Sequence, residues 1–173
     1  MDGVTFRQDA ATASEIELHL RECSDDFVPP LASRVDLPVY AAKLRAAATT
    51  CEAWYGRDLV GLIAYYRNDA TGMAFITSVS TSAQFRRSGL ARALLAQVLE
   101  DVDGAGYSRT ELEVGSDNGA AIGLYRSVGF AQVEAAEGAE ATSDSEGTVR
   151  LARENKAAAA TRNDEERVSF VDE

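Results

Sequence analysis

Arg86, Arg87 and Gly89 lie in the stretch QFRRSGLARALLAQVLE, from Gln84 to Glu100, where a predicted strand ends and an apolar helical pattern begins within a few residues. The first backbone N–H groups of such a helix have no intrahelical acceptors, and the helix dipole places partial positive charge at the same end. Anions are attracted there. Gly89 removes a side chain where a ligand would approach the backbone, Ala91 keeps the next approach narrow, and the two arginines add full charges. The run Arg86, Arg87, Ser88, Gly89, Leu90, Ala91 therefore suits a pyrophosphate. Taken alone, R-x-x-G-x-A is also the pattern of a solvated basic surface at a helix start.

The arginine pair is informative because the chain around it is acidic, with 28 Asp and Glu against 17 Lys and Arg and a net charge of −11. That balance argues against a general nucleic-acid surface, so an anionic ligand needs a local exception. From Glu134 onward there are 11 acids against 5 bases, which puts about half of the excess in the last forty residues. The expected organisation is one domain over residues 1–153 and an acidic, loosely attached tail over 154–173. At 173 residues and 46% hydrophobic content the chain can bury a real core. No apolar run is long enough for a membrane span, and MDGVTFRQDAATASE lacks the basic and apolar regions of a signal peptide, so a cytoplasmic protein with no membrane partner is expected. Cys23 and Cys51 have neither CxxC spacing nor a histidine cluster, and are expected as small buried or half-buried side chains with no metal site. The single histidine, His19, reads as a surface or packing residue.

The elements that must position the basic segment follow from periodicity and punctuation. VTFRQ alternates as a strand; Thr12 or Ser14 then offers a helix cap ahead of SEIELHLREC. Pro29 and Pro30 interrupt, and LPVYAAKLRAAATT reads as a second helix capped by Asp36, with Leu37, Tyr40, Ala41 and Leu44 on one face. Turn signals at Gly56-Arg57-Asp58 and Asn68 to Gly72 divide the next stretch into an antiparallel meander. Leu90, Leu94, Leu95, Val98, Leu99 and Val102 form one helical stripe, with Arg92, Glu100 and Asp103 away from it. Then come a strand in SRTELEVG, a capped helix in SDNGAAIGLYRSVG, a strand in FAQVEA, an acidic loop and a last strand in TVRLARE. The order β-α-α-β-β-β-α-β-α-β-β predicts a mixed α/β fold with a central, mostly antiparallel sheet flanked by helices.

Arg86, Gly89 and Ala91 resemble the [QR]-x-x-G-x-[GA] signature of the GNAT acetyltransferase superfamily. The segment EVGSDNGAAIGLYRSVGF, Glu113 to Phe130, is similar to its second signature, N-x-x-A-x-x-x-Y-x-x-x-G-F. With the meander before them the resemblance spans roughly Val4 to Phe130. It implies acetyl-CoA as co-substrate, its pantetheine arm beside the strand at Val79 to Thr81 and its pyrophosphate on the amides from Arg86 to Ala91. Asn118 is then expected to hydrogen-bond the pantetheine arm, a role compatible with capping the helix it starts. Tyr125 stands at the tyrosine of the second signature, where the resemblance implies a phenol that protonates the departing thiolate. Glu113 stands where related N-terminal acetyltransferases carry a glutamate, as the candidate base; an outward-facing strand carboxylate is the alternative.

Acetyl transfer to an amine needs a neutral amine, a polarised carbonyl and a proton for the leaving sulfur, and requires no covalent nucleophile. The expected acceptor is a small-molecule amine such as an amino sugar, with a peptide N-terminus as the alternative; a non-catalytic acyl-CoA-binding module is a third reading, because Thr77 replaces the glutamate many relatives carry. Tyr40, Trp54, Tyr65 and Tyr66 offer an aromatic wall for an acceptor or ordinary core packing. A homodimer is left open.

Overall fold

The computed structural model describes residues 2–27, 29–134 and 147–156. Its elements are β1 (Val4–Gln8), α1 (Ala13–Glu22), α2 (Leu31–Arg34), α3 (Leu37–Ala47), β2 (Thr49–Tyr55), β3 (Asp58–Asn68), β4 (Met73–Thr81), α4 (Leu90–Gly104), β5 (Arg109–Gly115), α5 (Gly119–Arg126), β6 (Ala131–Val133) and β7 (Thr148–Glu154). Short 3-10 turns cover Ser24–Asp26 and Ala83–Phe85. The seven strands form one mostly antiparallel sheet in the order β1-β2-β3-β4-β5-β7-β6. This is the architecture the sequence order predicts, with one unforeseen short helix, α2, beginning right after Pro30. Among the described residues no helix is long and apolar enough to cross a membrane. The expected acidic loop and most of the expected tail lie outside the described residues.

Two compact units divide the chain: Met1–Arg67 with Ile76–Val98, and Asn68–Phe75 with Leu99–Glu173. In the first, α1 starts at Thr12, the first of the two candidate caps. Thr12 Oγ1 accepts from Glu15 N at 3.3 Å while Glu15 Oε2 accepts from Thr12 N at 2.8 Å, a reciprocal box that satisfies two orphan donors. Helix α3 starts at Asp36, whose Oδ1 accepts from Val39 N at 3.0 Å. It stops at Ala47, earlier than the helical pattern suggests, because the β-branched Thr49 and Thr50 pair in β2 opposite Tyr65 and Ala64.

Helices α1 and α3 cover one face of β2 and β3 through Ile16, Leu20, Leu37, Ala41, Leu44, Trp54 and Leu62. Successive strand residues point to opposite faces, so Gly61, next to Leu62, looks the other way. There α4 lies so close that a Cβ at Gly61 would meet Leu94 Cδ1 at 2.8 Å and Leu90 Cδ2 at 3.2 Å. The apolar stripe of α4 is buried throughout, as its spacing predicts.

The second unit is built on the β5–β7 pair, in which Leu112 faces Leu151 and Glu113 faces Arg150. Thr110, Leu112 and Val114 are buried, and the residues between them are not. Its polar joint is Asp103, which the helical pattern rightly sets away from the apolar stripe but which is engaged: its two oxygens accept from Arg153 at 2.9 and 3.0 Å. That fork holds the Asp103 carboxyl below the usual carboxylate range. Buried Asn155 completes the joint, accepting from Thr110 Oγ1 at 3.0 Å and donating to the Tyr107 carbonyl at 2.9 Å.

Candidate functional site

Strand β4 carries two different faces to the entrance of α4. Ile76, Ser78 and Ser80 are buried, while Thr77, Val79 and Thr81 alternate with them and are half-buried. Ser82 then closes onto β3, its N–H donating to the Val60 carbonyl at 2.9 Å. After the 3-10 turn, Arg87 and Gly89 adopt left-handed φ of 59° and 85°. Such conformations bend the backbone so that N–H groups face the inside of the turn, where anions bind. Glycine at 89 is required by its φ rather than by crowding, since nothing lies within 4 Å of where its Cβ would be. The approach to the first turn of α4 is therefore open. Ser88 Oγ donates to the Phe85 carbonyl at 2.5 Å and ties the bend together.

Arg86, Arg87, Ser88 and Gly89 are all exposed, Ala91 is half-buried, and Leu90 is buried as the first apolar anchor of the helix. The bend thus puts two exposed arginines and a serine directly ahead of the free amides that start a fifteen-residue helix. Arg86 is already engaged, by an ion pair with Asp26 in the turn after α1.

Behind the half-buried face of β4 lies a polar cluster that sequence reasoning did not assemble. His19 is buried, with Nδ1 at 3.0 Å from the Leu59 carbonyl and Nε2 at 2.9 Å from Ser80 Oγ. A carbonyl only accepts, so Nδ1 carries the proton and Nε2 accepts from the serine hydroxyl. Burial pushes the imidazole down to about 4. Of the two roles expected for His19, packing holds and surface exposure does not. Cys23 lies 3.8 Å from Nε2, and its thiol is pushed up to about 11 by burial first and by the Asp26 charge second. Both cysteines are buried thiols outside any disulfide, the expected reading.

Glu52 on β2 is a second buried centre that the sequence did not mark. Its carboxylate accepts from the N–H groups of Ala10 and Ala11, from Thr50 Oγ1 at 2.7 Å and from Trp54 Nε1 at 2.9 Å. Every oxygen is committed to holding the segment that leads into α1, which marks the residue as structural.

In the second unit the second signature reads as a set of local constraints. Asn118 Oδ1 accepts from Ala121 N at 3.1 Å and caps α5, leaving its Nδ2 as a donor. Tyr125 is buried on α5, its ring edge-on to Phe130 at 5.9 Å. Gly129, at φ 100°, ends the helix in a conformation that favours glycine, and the Phe130 N–H returns to the Tyr125 carbonyl at 3.1 Å. The signature thus fixes one phenol. Burial raises its pKa to about 12.

Glu113 lies on the exposed side of β5 and accepts from Arg150 at 2.7 Å, within a ladder that also holds Arg109, Glu111 and Glu154. The four aromatics considered for an acceptor wall do not all come together: Tyr40 packs against the cluster that holds Trp54, and Tyr65 stands apart. Trp54 is in the helix-covered core of the first unit, whereas Tyr65 is buried from the opposite strand face beneath Arg67. Tyr40 and Tyr66 are close enough to interact, and burial together with Tyr40 raises the Tyr66 phenol.

A family model described as "Acetyltransferase (GNAT) family" matches residues 15–130. The chain belongs to the GNAT acetyltransferase family. A Bacillus subtilis (strain 168) protein named "Uncharacterized N-acetyltransferase YsnE" is 38% identical over 95 residues, which cover 53% of this chain and 62% of the relative. The Escherichia coli (strain K12) [Ribosomal protein bS18]-alanine N-acetyltransferase is 37% identical over 57 residues, covering 33% of this chain and 38% of that enzyme. The chain thus aligns with less than two thirds of the length of either relative. Among solved structures, the ribosomal-protein-S18-alanine N-acetyltransferase from Escherichia coli superposes with a TM-score of 0.68 at 18% identity, covering 87% of this chain and 93% of that one. An acetyltransferase of the GNAT family from Staphylococcus aureus gives 0.70 at 14% identity over 88% and 99%. At these identities the superpositions establish the fold.

Proposed function

We propose that this chain is an acetyl-CoA-dependent N-acetyltransferase that moves an acetyl group to a primary amine. The carrying observation is the bend at Arg87 and Gly89, two left-handed residues that open the α4 N-terminus beside a pair of exposed arginines in an acidic GNAT chain. In this reading the amides from Arg86 to Ala91, with Ser88, hold the diphosphate, and Val79 and Thr81 on the half-buried face of β4 lie along the pantetheine. The Asn118 Nδ2 is a further donor to that arm.

Acetyl-CoA supplies an activated acyl group; the residues manage charge and protons. The amine nitrogen attacks the carbonyl carbon, the C–S bond breaks, and Tyr125 donates to the leaving sulfur. Its raised pKa keeps it an O–H donor throughout the neutral range. Because a free thiol titrates near ~8.5, complete transfer to thiolate is uphill, and the hydrogen bond to developing charge is the larger part of its role. Glu113 accepts the amine proton through the side of its carboxylate that Arg150 leaves open.

Two acceptor classes are carried forward. An amino sugar or similar small amine was expected from the sequence, and no feature of the fold adds to it. The α-amino group of a peptide is favoured by the likeness to the bS18-alanine enzyme. Free-thiol release from acetyl-CoA across a panel of amino sugars and short peptides distinguishes them. Activity with neither, in a protein that still binds acetyl-CoA, would return the chain to a binding module. Tyr125→Phe should lower kcat by roughly 10²-fold with little change in acetyl-CoA affinity. Wild-type turnover in that variant would remove Tyr125 from the chemistry.

A further inference from the structure

Three residues along the end of α1 and the turn after it reach three residues along the end of β4 and the bend beyond. His19 bonds Ser80, the Cys23 thiol lies beside the Ser82 side chain, and Asp26 pairs with Arg86. The spacings of four and three on the first side are those of one helical face, carried by α1 into the Ser24–Asp26 turn. The first two rungs are buried and neutral, being made of His19, Cys23, Ser80 and Ser82. They fix where the turn sits against the strand. The third rung is different, because the Arg86 and Asp26 side chains are 47% and 37% exposed.

An ion pair in that setting is weak and exchangeable, since water screens it and two long side chains must be held in one geometry. Arg86 is the same arginine that the α4 entrance offers to a diphosphate. A carboxylate and a phosphate bind a guanidinium by the same fork of N–H donors. From this we infer that Asp26 is an intramolecular stand-in for the cofactor's phosphate, holding Arg86 at rest and giving it up when acetyl-CoA binds.

This rests on the reading of the α4 entrance as the acetyl-CoA site. Two consequences follow from charge. Asp26 opposes binding directly, as a negative charge at the mouth of an anion site, and indirectly, because its pair with Arg86 must open. Only the second depends on Arg86.

Calorimetric titration of the full chain with acetyl-CoA at low ionic strength tests this with Asp26→Asn, Arg86→Gln and the double variant. Asp26→Asn should tighten binding by about two- to fivefold, the worth of an exposed ion pair, and Arg86→Gln should weaken it. In the Arg86→Gln background the gain from Asp26→Asn should shrink to what the direct repulsion alone contributes. Raising the salt to several hundred millimolar should also shrink the gain. Unchanged or weaker binding in Asp26→Asn would overturn the proposal, as would a gain of the same size with and without Arg86. If Arg86→Gln and Gly89→Asn both bind acetyl-CoA as the wild type does, the site assignment itself fails, a result separate from any Asp26 outcome.

Discussion

Glutamate is used in opposite ways in the two units. Glu52 in the first is fully buried, with both oxygens taken by two backbone amides, a threonine and a tryptophan. Glu113 in the second is 46% exposed in its side chain and joined to Arg150 along a strand pair. The first carboxylate is a fastener for the segment before α1, and no oxygen is left for chemistry. The second has little structural duty and an accessible oxygen. Commitment of lone pairs, rather than residue type, separates a structural acid from an available one.

The sharpest way to test that contrast is the same substitution at both places. Glu52→Gln replaces an acceptor oxygen with an NH2 group facing N–H and O–H donors, which leaves buried donors unmatched. It should destabilise the fold by roughly 2–4 kcal/mol in urea unfolding. Glu113→Gln should change stability by no more than about 0.5 kcal/mol, as expected of an exposed pair, while depressing the alkaline-rising limb of the pH–rate profile. Equal stability losses at the two positions would erase the distinction.

His19 extends the comparison to pH. Its imidazole is held at about 4 in the fold against an ordinary value of 6.5. Above pH 6.5 both folded and unfolded chains carry it neutral, and its contribution is constant. As pH falls from 6.5 to 4 the unfolded chain gains a proton that the folded chain refuses, so stability drops, by roughly 3 kcal/mol across that window. Below 4 both states are protonated and this contribution flattens. The neighbouring Cys23 thiol is neutral throughout, and the charges near it are Asp26, Arg86 and Glu22. His19→Asn should remove most of the slope between pH 6.5 and 4 in denaturant titrations at stepped pH. An unaltered slope would assign the acid sensitivity elsewhere.

Much of the fold was legible because its signals are local. The α4 stripe, the Asp36 cap, the Gly56-Arg57 turn and the strands at TVRLARE and SRTELEVG each follow from spacing or from one residue's geometry. Gly89 was legible as a position without a side chain at the helix entrance, whereas the bend there and its use of glycine for φ, with open space around it, appear only in three dimensions. The polar contacts were not legible. Glu52 meets Ala10 and Ala11 across some forty residues, His19 meets Ser80 across 61, and Asp26 meets Arg86 across 60. No periodicity links such pairs. A faint signal did exist in β4: TSVSTS places a hydroxyl at alternate positions of a strand whose neighbours demand burial, and buried hydroxyls need partners. Thr49 and Thr50 were misplaced in a helix because helical spacing continued past the point where β-branching and the sheet register took over.

The smallest expected effect is at one of those hydroxyls. Ser78 and Ser80 are two residues apart on the same face of β4, with relative exposures of 4% and 7%. Ser80 Oγ has His19 as its acceptor, whereas Ser78 Oγ is the buried side-chain atom left without a partner among the described residues. A buried hydroxyl with no hydrogen bond has lost its water and gained nothing in exchange, so its removal is free of penalty except for a small loss of packing. Ser78→Ala should therefore be neutral or stabilising, within about 1 kcal/mol of the wild type. Ser80→Ala leaves the His19 Nε2 lone pair only the weak Cys23 S–H donor at 3.8 Å and should cost about 1–2 kcal/mol. Urea midpoints at unchanged m-value measure both. If Ser78→Ala proved as costly as Ser80→Ala, the two serines would be equivalent and the His19 bond would not be what distinguishes this end of the strand.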